Sequence, residues 1–184
     1  MVESILLYAM ASLERPACVV VTGANKGFGK AVCLSLAKVL KPRSVMFVLG
    51  RKVQALDDCI AEIGKVNEAV SVFAYSRYDC DHLDHDDLEQ FIVNSFVGNK
   101  ELTPPVKDLV VIHNAASLGD LSRPSNVLTA TESTDYMRIN LSAMIQTNTT
   151  ILNCLDFLPN KTLIQVSSLL AVKPLKSMAL YCSG

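Results

Sequence analysis

The chain has 184 residues, half of them hydrophobic and 19% charged, with a formal net charge of −1. That length fits one domain with a sizeable core, and the near-neutral balance excludes a basic nucleic-acid surface or a like-charge tail. Cys18, Cys33, Cys59, Cys80, Cys154 and Cys182 are scattered without a C-x-x-C pair, which points to a reduced cytoplasmic protein and away from a disulfide scaffold or a metal site.

Residues 1–15 read as a loosely held extension. The apolar stretch "SILLYAMAS" follows Glu3 and no basic residue, so it does not resemble a secretory leader, and it is too short to span a bilayer. From residue 16 to residue 184 strands and helices alternate. "ACVVVTG" is a continuous β-branched run, as expected of a strand buried on both faces. "FGKAVCLSLAKVL" carries Val32, Leu36, Val39 and Leu40 at a helical period. "SVMFVLG" is a second strand. "VQALDDCIAEIG" puts Val53, Leu56, Ile60 and Ile63 on one helical face, with Gly64 as its C-cap. "AVSVFAYS" is a third strand. "DHLDHDDLEQFIVNSFVGN" opens acidic, as suits a helix N-terminus, and aligns Leu88, Phe91, Ile92 and Phe96. "VKDLVVIHNA" is a fourth strand, a long helix covers about 132–155, and "KTLIQVSS" is a fifth strand. This βαβ alternation predicts an α/β, doubly wound, Rossmann-like parallel sheet with helices on both faces.

"TGANKGFG" lies between the first strand and the first helix. Its glycines, Gly23, Gly27 and Gly29, space a dinucleotide loop as G-x-x-x-G-x-G. A tight turn, a close approach of backbone to pyrophosphate and free N–H groups at a helix N-terminus all demand such a loop. Gly23, Asn25, Lys26, Gly27, Phe28 and Gly29 are therefore candidate cofactor contacts. The second strand ends in "LGRK". An acidic residue there would select NAD through the ribose 2′-OH. Arg51 instead suits a 2′-phosphate, with Lys26 as a second cation, so NADP is expected. A solvated surface charge is the other reading of each.

Three further features align in order: "HNAA" (His113 to Ala116) at the end of the fourth strand, Asn140 in the long helix, and Ser168 thirteen residues before Tyr181. Together with the glycine loop they resemble the short-chain dehydrogenase/reductase family over essentially all of residues 17–184. That family pattern is a T-G-x-x-x-G-x-G loop, an N-N-A-G strand end, a helix Asn, a Ser and a Y-x-x-x-K motif. The stretches "NAASLGD", "INLSAM", "GFGK" and "VSSLLAVKPLKSMALYCSG" narrow the resemblance to its pterin reductases.

The resemblance implies an NADPH-dependent carbonyl reductase acting on a pterin side chain in tetrahydrobiopterin synthesis. Tyr181 would be the general acid, Ser168 would hydrogen-bond the same carbonyl oxygen, and Asn140 would hold the helix and a relay water. Asn114, Ala115 and Ala116 would line the cofactor, and Asp79 would contact the adenine. A small-molecule substrate, no nucleic acid, no membrane and a homo-oligomer of the full-length form are the implied partners. Two departures stand out: His113 and Ala116 replace the first Asn and the Gly of N-N-A-G. His113 reads as a packing substitution, and His82 and His85 as solvated histidines of an acidic segment. The chain reaches Gly184 one position short of the motif's lysine, so a domain incomplete at its C-terminus, lacking the later strands, is expected. Another short-chain reductase of small ketones or quinones, and a non-catalytic nucleotide-binding remnant, remain open alternatives.

Overall fold

A computed structural model describes residues 13–99, 102, 106–119 and 129–173. Five parallel strands form one sheet in the order β3-β2-β1-β4-β5: β1 (Ala17–Thr22), β2 (Val45–Leu49), β3 (Ser71–Tyr75), β4 (Asp108–His113) and β5 (Asn160–Gln165). The helices between them are α1 (Gly27–Ala37), α2 (Val53–Val66), α3 (His85–Ile92), α4 (Ala130–Met137) and α5 (Ala143–Cys154). The doubly wound sheet expected from the alternation is present.

Side chains of β1 alternate between two cores because successive Cβ atoms leave opposite faces of a strand. Val19 and Val21 join Met46, Val48, Val110 and Ile112 beneath α1 and α2, which contribute Val32, Leu36, Leu56, Cys59 and Ile63. Cys18 and Val20 join Phe47, Leu49, Leu109 and Val111 beneath α3 and α5, which contribute Leu88, Ile92 and Ile151, with Leu155 just past the end of α5. Burial on both faces accounts for the unbroken apolar runs in the sequence.

Some local expectations need correcting. α2 runs through Gly64 to Val66 and stops at Asn67. The Asn67 amide donates to the carbonyls of Ala37 (2.9 Å) and Leu40 (3.0 Å), closing the end of α1 as well. An Asn that ties two helices together outweighs a Gly that could end one. Val53 is 60% exposed, and Cys59 faces the core with Leu56 and Ile63. His85 is not simply solvated. Its Nε2 lies 3.0 Å from Gln146 Oε1 and its Nδ1 3.2 Å from Thr150 Oγ1, joining α3 to α5. The end of the N-terminal segment is anchored: Leu13 is buried and Arg15 donates twice to buried Asp108, at 2.9 and 3.1 Å. Residues 1–12 lie outside the described residues.

The helix expected over 132–155 runs from Ala130 to Cys154, opened by a capping box between Thr129 and Glu132. Between α4 and α5 it widens into a π turn over Arg138–Ser142. A second π turn, Val93–Val97, extends α3. At the β3 end, the Tyr75 hydroxyl (2.5 Å) and the Arg77 guanidinium (2.7 and 2.6 Å) both donate to Asp87, pinning β3 to α3. No helix among the described residues is long and apolar enough to cross a membrane.

Candidate functional site

The C-terminal ends of β1, β2 and β4 converge on the glycine loop. Gly23 has φ +67°, a conformation that L side chains rarely adopt. Gly29 is needed for a different reason: a Cβ there would lie 2.3 Å from the Gly23 carbonyl oxygen and 2.5 Å from Asn114 Nδ2. Asn114 Nδ2 donates to the carbonyls of Thr22 and Gly23, both at 3.2 Å. The backbone N–H groups of Asn114 and Ala115 donate to the Thr22 hydroxyl, each at 3.0 Å. Asn114 therefore clamps the loop and lines the cavity beside it at once. Thr22 and its hydroxyl were not singled out in the sequence, although the loop's own T-G start was the available signal.

α1 begins at this loop without a side-chain cap, and its first turn carries no acid. α3, by contrast, is capped by Asp84 and carries Asp86 and Asp87 in its first turn. An uncapped N-terminus beside a cavity leaves its N–H groups for an anion.

The cavity encloses about 570 Å³. Gly23, Asn25, Lys26, Gly27, Phe28, Arg51, Asp79, Asn114, Ala115 and Ala116 all line it, joined by Gly50, Tyr78, Cys80, Asp81, Ser117 and Ile139. Gly29 sits behind the lining. Arg51, 72% exposed, faces Asp79 at 3.8 Å across the mouth, so the two residues expected at the ribose and the adenine already neighbour each other. An exposed pair at that distance is worth little by itself and can open toward a stronger anion. Tyr78 packs into the wall with its hydroxyl 3.0 Å from Thr147 Oγ1, and burial pushes that phenol well up. Burial likewise pushes the Cys80 thiol up. Arg138 holds the 79–83 loop from the π turn after α4, pairing with the Asp81 carboxylate and donating to its carbonyl at 2.7 Å.

A second, smaller cavity of about 60 Å³ adjoins the first through Ala115 and Ala116. His113, Tyr136, Asn140, Met144, Gln165, Val166, Ser167, Ser168 and Ala171 complete its walls. Asn140 and Ser168 thus line one cavity, whereas Tyr181 lies outside the described residues. Asn140 is in the π turn, where such wide turns recur at functional sites. Its Oδ1 accepts from Ser117 N (2.8 Å), and its Nδ2 donates to the carbonyls of Ser117 (3.1 Å) and Tyr136 (3.2 Å). It holds the segment just past Ala116. Ser168 lies three residues beyond β5, where its carbonyl opens the 3₁₀ turn Leu169–Ala171. Ala116 costs no backbone strain, because Arg43 is the non-glycine residue of positive φ among the described residues. His113 is buried and bonded to Asn148, 2.7 Å from Nε2 to Oδ1. Burial holds its imidazole below the ordinary 6.5. No cluster of metal-ligating side chains occurs among the described residues.

The short chain dehydrogenase family model matches residues 17–184. Sepiapterin reductase of Mus musculus is 34% identical over 172 residues, covering 90% of this chain and 62% of that protein. The Bos taurus sepiapterin reductase is 30% identical over 175 residues, covering 94% and 63%. The chain therefore spans less than two thirds of the length of these curated relatives. Among solved structures, a Shigella flexneri short chain dehydrogenase complexed with NADP superposes with a TM-score of 0.73 at 22% identity, covering 94% of this chain and 67% of that one. An Escherichia coli counterpart complexed with NADPH gives 0.72 at 21%, with the same coverage. Both are likenesses of fold.

Proposed function

The chain belongs to the short-chain dehydrogenase family, and from that premise we propose that it binds NADP(H) and serves the reduction of a ketone on a pterin side chain, as in tetrahydrobiopterin synthesis. The observation that carries this reading is the pair of joined cavities. One is walled by the glycine loop, Arg51 and Asp79, the other by Asn140 and Ser168, with Ala115 and Ala116 between them.

The fit of the cofactor rests on this chain's own atoms. Gly27 lines the cavity with φ +52° and nothing within 4 Å of where a Cβ would stand, α1 presents an uncapped N-terminus, and Lys26 and Arg51 supply positive charge around the large cavity. When bound, NADPH supplies the hydride. Arg51 would exchange Asp79 for a 2′-phosphate. Asn114 keeps the loop in the shape that admits the pyrophosphate. On the other side, the Ser168 hydroxyl would donate to the substrate's carbonyl oxygen and polarise it. Tyr181 would donate the proton, the role its family motif implies. Asn140 holds Ser117 and so fixes the wall between nucleotide and substrate.

The direct test measures NADPH and NADH binding by fluorescence and follows NADPH oxidation with sepiapterin as substrate. NADPH bound in preference to NADH, with turnover lost in Ser168→Ala, is expected. Equal affinities would overturn the cofactor reading, and turnover of simple ketones but not of sepiapterin would overturn the substrate reading.

A further inference from the structure

The C-terminal end of β4 is a junction. The His113 carbonyl accepts from Val166 N at 2.8 Å, which fixes the start of the segment leading to Ser168. The His113 ring reaches the other way, to Asn148 on α5. The next residue, Asn114, holds the glycine loop. Residues 113 and 114 thus connect the loop, α5 and the Ser168 segment. The Asn148 Oδ1 contact puts the ring proton on Nε2 and leaves Nδ1 as an acceptor. His113 is also among the residues lining the 60 Å³ cavity with Asn140 and Ser168, a space with room for a few waters.

We propose that His113 is a positioning residue of the reaction-side cavity: its Nε2–H tether to Asn148 sets the spacing of α5 and the Ser168 segment, and its Nδ1 takes a hydrogen bond from water beside Asn140 and Ser168. This rests on the carbonyl-reductase reading for its consequence in turnover, but the tether itself does not. Protonation of the ring turns Nδ1 from acceptor to donor and reverses the hydrogen bonding it offers the cavity. The ring's partner Asn148 on α5 is neutral, and so are Met144 on α5, Asn140 in the π turn, Gln165 at the end of β5 and Ser168 beyond it, which share the cavity lining with His113. Tyr136 is the one titratable side chain among the described lining residues. Among the described lining residues no charged side chain is at hand to keep the ring protonated, in line with its lowered pKa.

The test compares His113→Leu, which keeps the bulk but not the donor, with His113→Gln, which keeps a donor at the Nε2 position and does not titrate. Nitrogen-15 NMR of the histidine ring, amide exchange at Val166 and Ser168, NADPH affinity, and kcat and KM from pH 5.5 to 8.5 are the readouts. An Nε2–H tautomer is expected in the wild type. Leu should speed exchange at Val166 and Ser168, and lower kcat, by about tenfold while moving NADPH affinity less than about twofold, the scale of one buried hydrogen bond. Gln should restore both and remove the acid limb of the pH profile. A wild-type Nδ1–H tautomer, unchanged exchange in His113→Leu, or Gln behaving like Leu would overturn the proposal. Should the wild type bind NADPH yet reduce no carbonyl, the proposed function falls, and the tautomer and exchange still decide the role of His113.

Discussion

Every residue of β1 and β2 is buried, whereas β5 is exposed or half-buried along its whole length, with Leu163 48% exposed. The loop that β1 feeds is accordingly locked by the close packing of Gly29 against Gly23, to which Asn114 and Ala115 add hydrogen bonds to Thr22 and Gly23. The Ser168 segment that β5 feeds starts from a discrete hydrogen bond, Val166 N–H to the His113 carbonyl, and across the cavity Asn140 holds Ser117 in the same way. Packing is intolerant of an added methyl but indifferent to pH, while hydrogen bonds tolerate volume and fail when a partner is lost or recharged. The two sides of the site should therefore break in different ways.

The largest break is expected from Gly29→Val on the nucleotide side. Its Cβ would fall inside the contact distance of a backbone carbonyl, so about 1–3 kcal/mol of overpacking strain or more is expected. NADPH affinity should fall beyond detection, and thermal unfolding should shift down. Near-normal NADPH binding in a fluorescence titration would show that the loop is softer than its packing implies.

On the reaction side, Asn140→Ala removes the groups that bind the Ser117 N–H and the carbonyls of Ser117 and Tyr136. A loss of about 1–3 kcal/mol follows from the unpaired polar groups left behind. Turnover should drop with NADPH affinity little changed. If cofactor affinity fell in step with turnover, the two sides would not be separable in this way.

Arg51→Asp is smaller in scope. NADPH affinity should fall about tenfold with NADH affinity unchanged or improved, equivalent to about 1.4 kcal/mol. Equal losses for both cofactors would assign Arg51 to the fold and not to the 2′-phosphate.

The smallest effect is a separation in pH. His113 has its pKa lowered by burial from 6.5. The unfolded chain therefore takes up that proton first, and stability declines as pH falls below about 6.5 toward the folded value. Asp87 has its pKa lowered by the Arg77 guanidinium and the Tyr75 hydroxyl, from 3.8. Its contribution is present above that value and is lost only as pH falls through the folded one. Urea unfolding across pH should show both steps, with His113→Gln erasing the upper one alone. An upper step that persists in that variant would assign it to another group.

Much of this was legible in the sequence because burial on both faces writes itself as runs such as "CVVV" and "FVL", and because the glycine loop has one physical use. Ten of the eleven residues expected at the cofactor line one cavity. What stayed hidden was set by partners distant in the chain. Asn67 ends α2 by bonding to α1, a choice that the local appeal of Gly64 obscured. His85 looked solvated because Gln146 and Thr150, its partners, come some sixty residues later. Thr22 mattered through a hydroxyl that receives two N–H groups from β4's end, a pairing fixed by strand order. The π turns stayed hidden because nothing in the residue types of "VNSFV" or "RINLS" distinguishes a wide turn from an α-helical one.

The π turn over Arg138–Ser142 sets a phase relation along the helix. Each residue of an α-helix advances the chain by about 100°. One residue deleted within 138–142 would let the backbone relax to an ordinary α-helix, yet Tyr136 and Asn140 could not both keep their present bearings relative to Thr147 and Ile151. Either Asn140 would leave Ser117, or the buried side of α5 would turn from the sheet. The reading frame of this helix is thus fixed to the residue by two separate surfaces, and length changes should be far less tolerable here than substitutions.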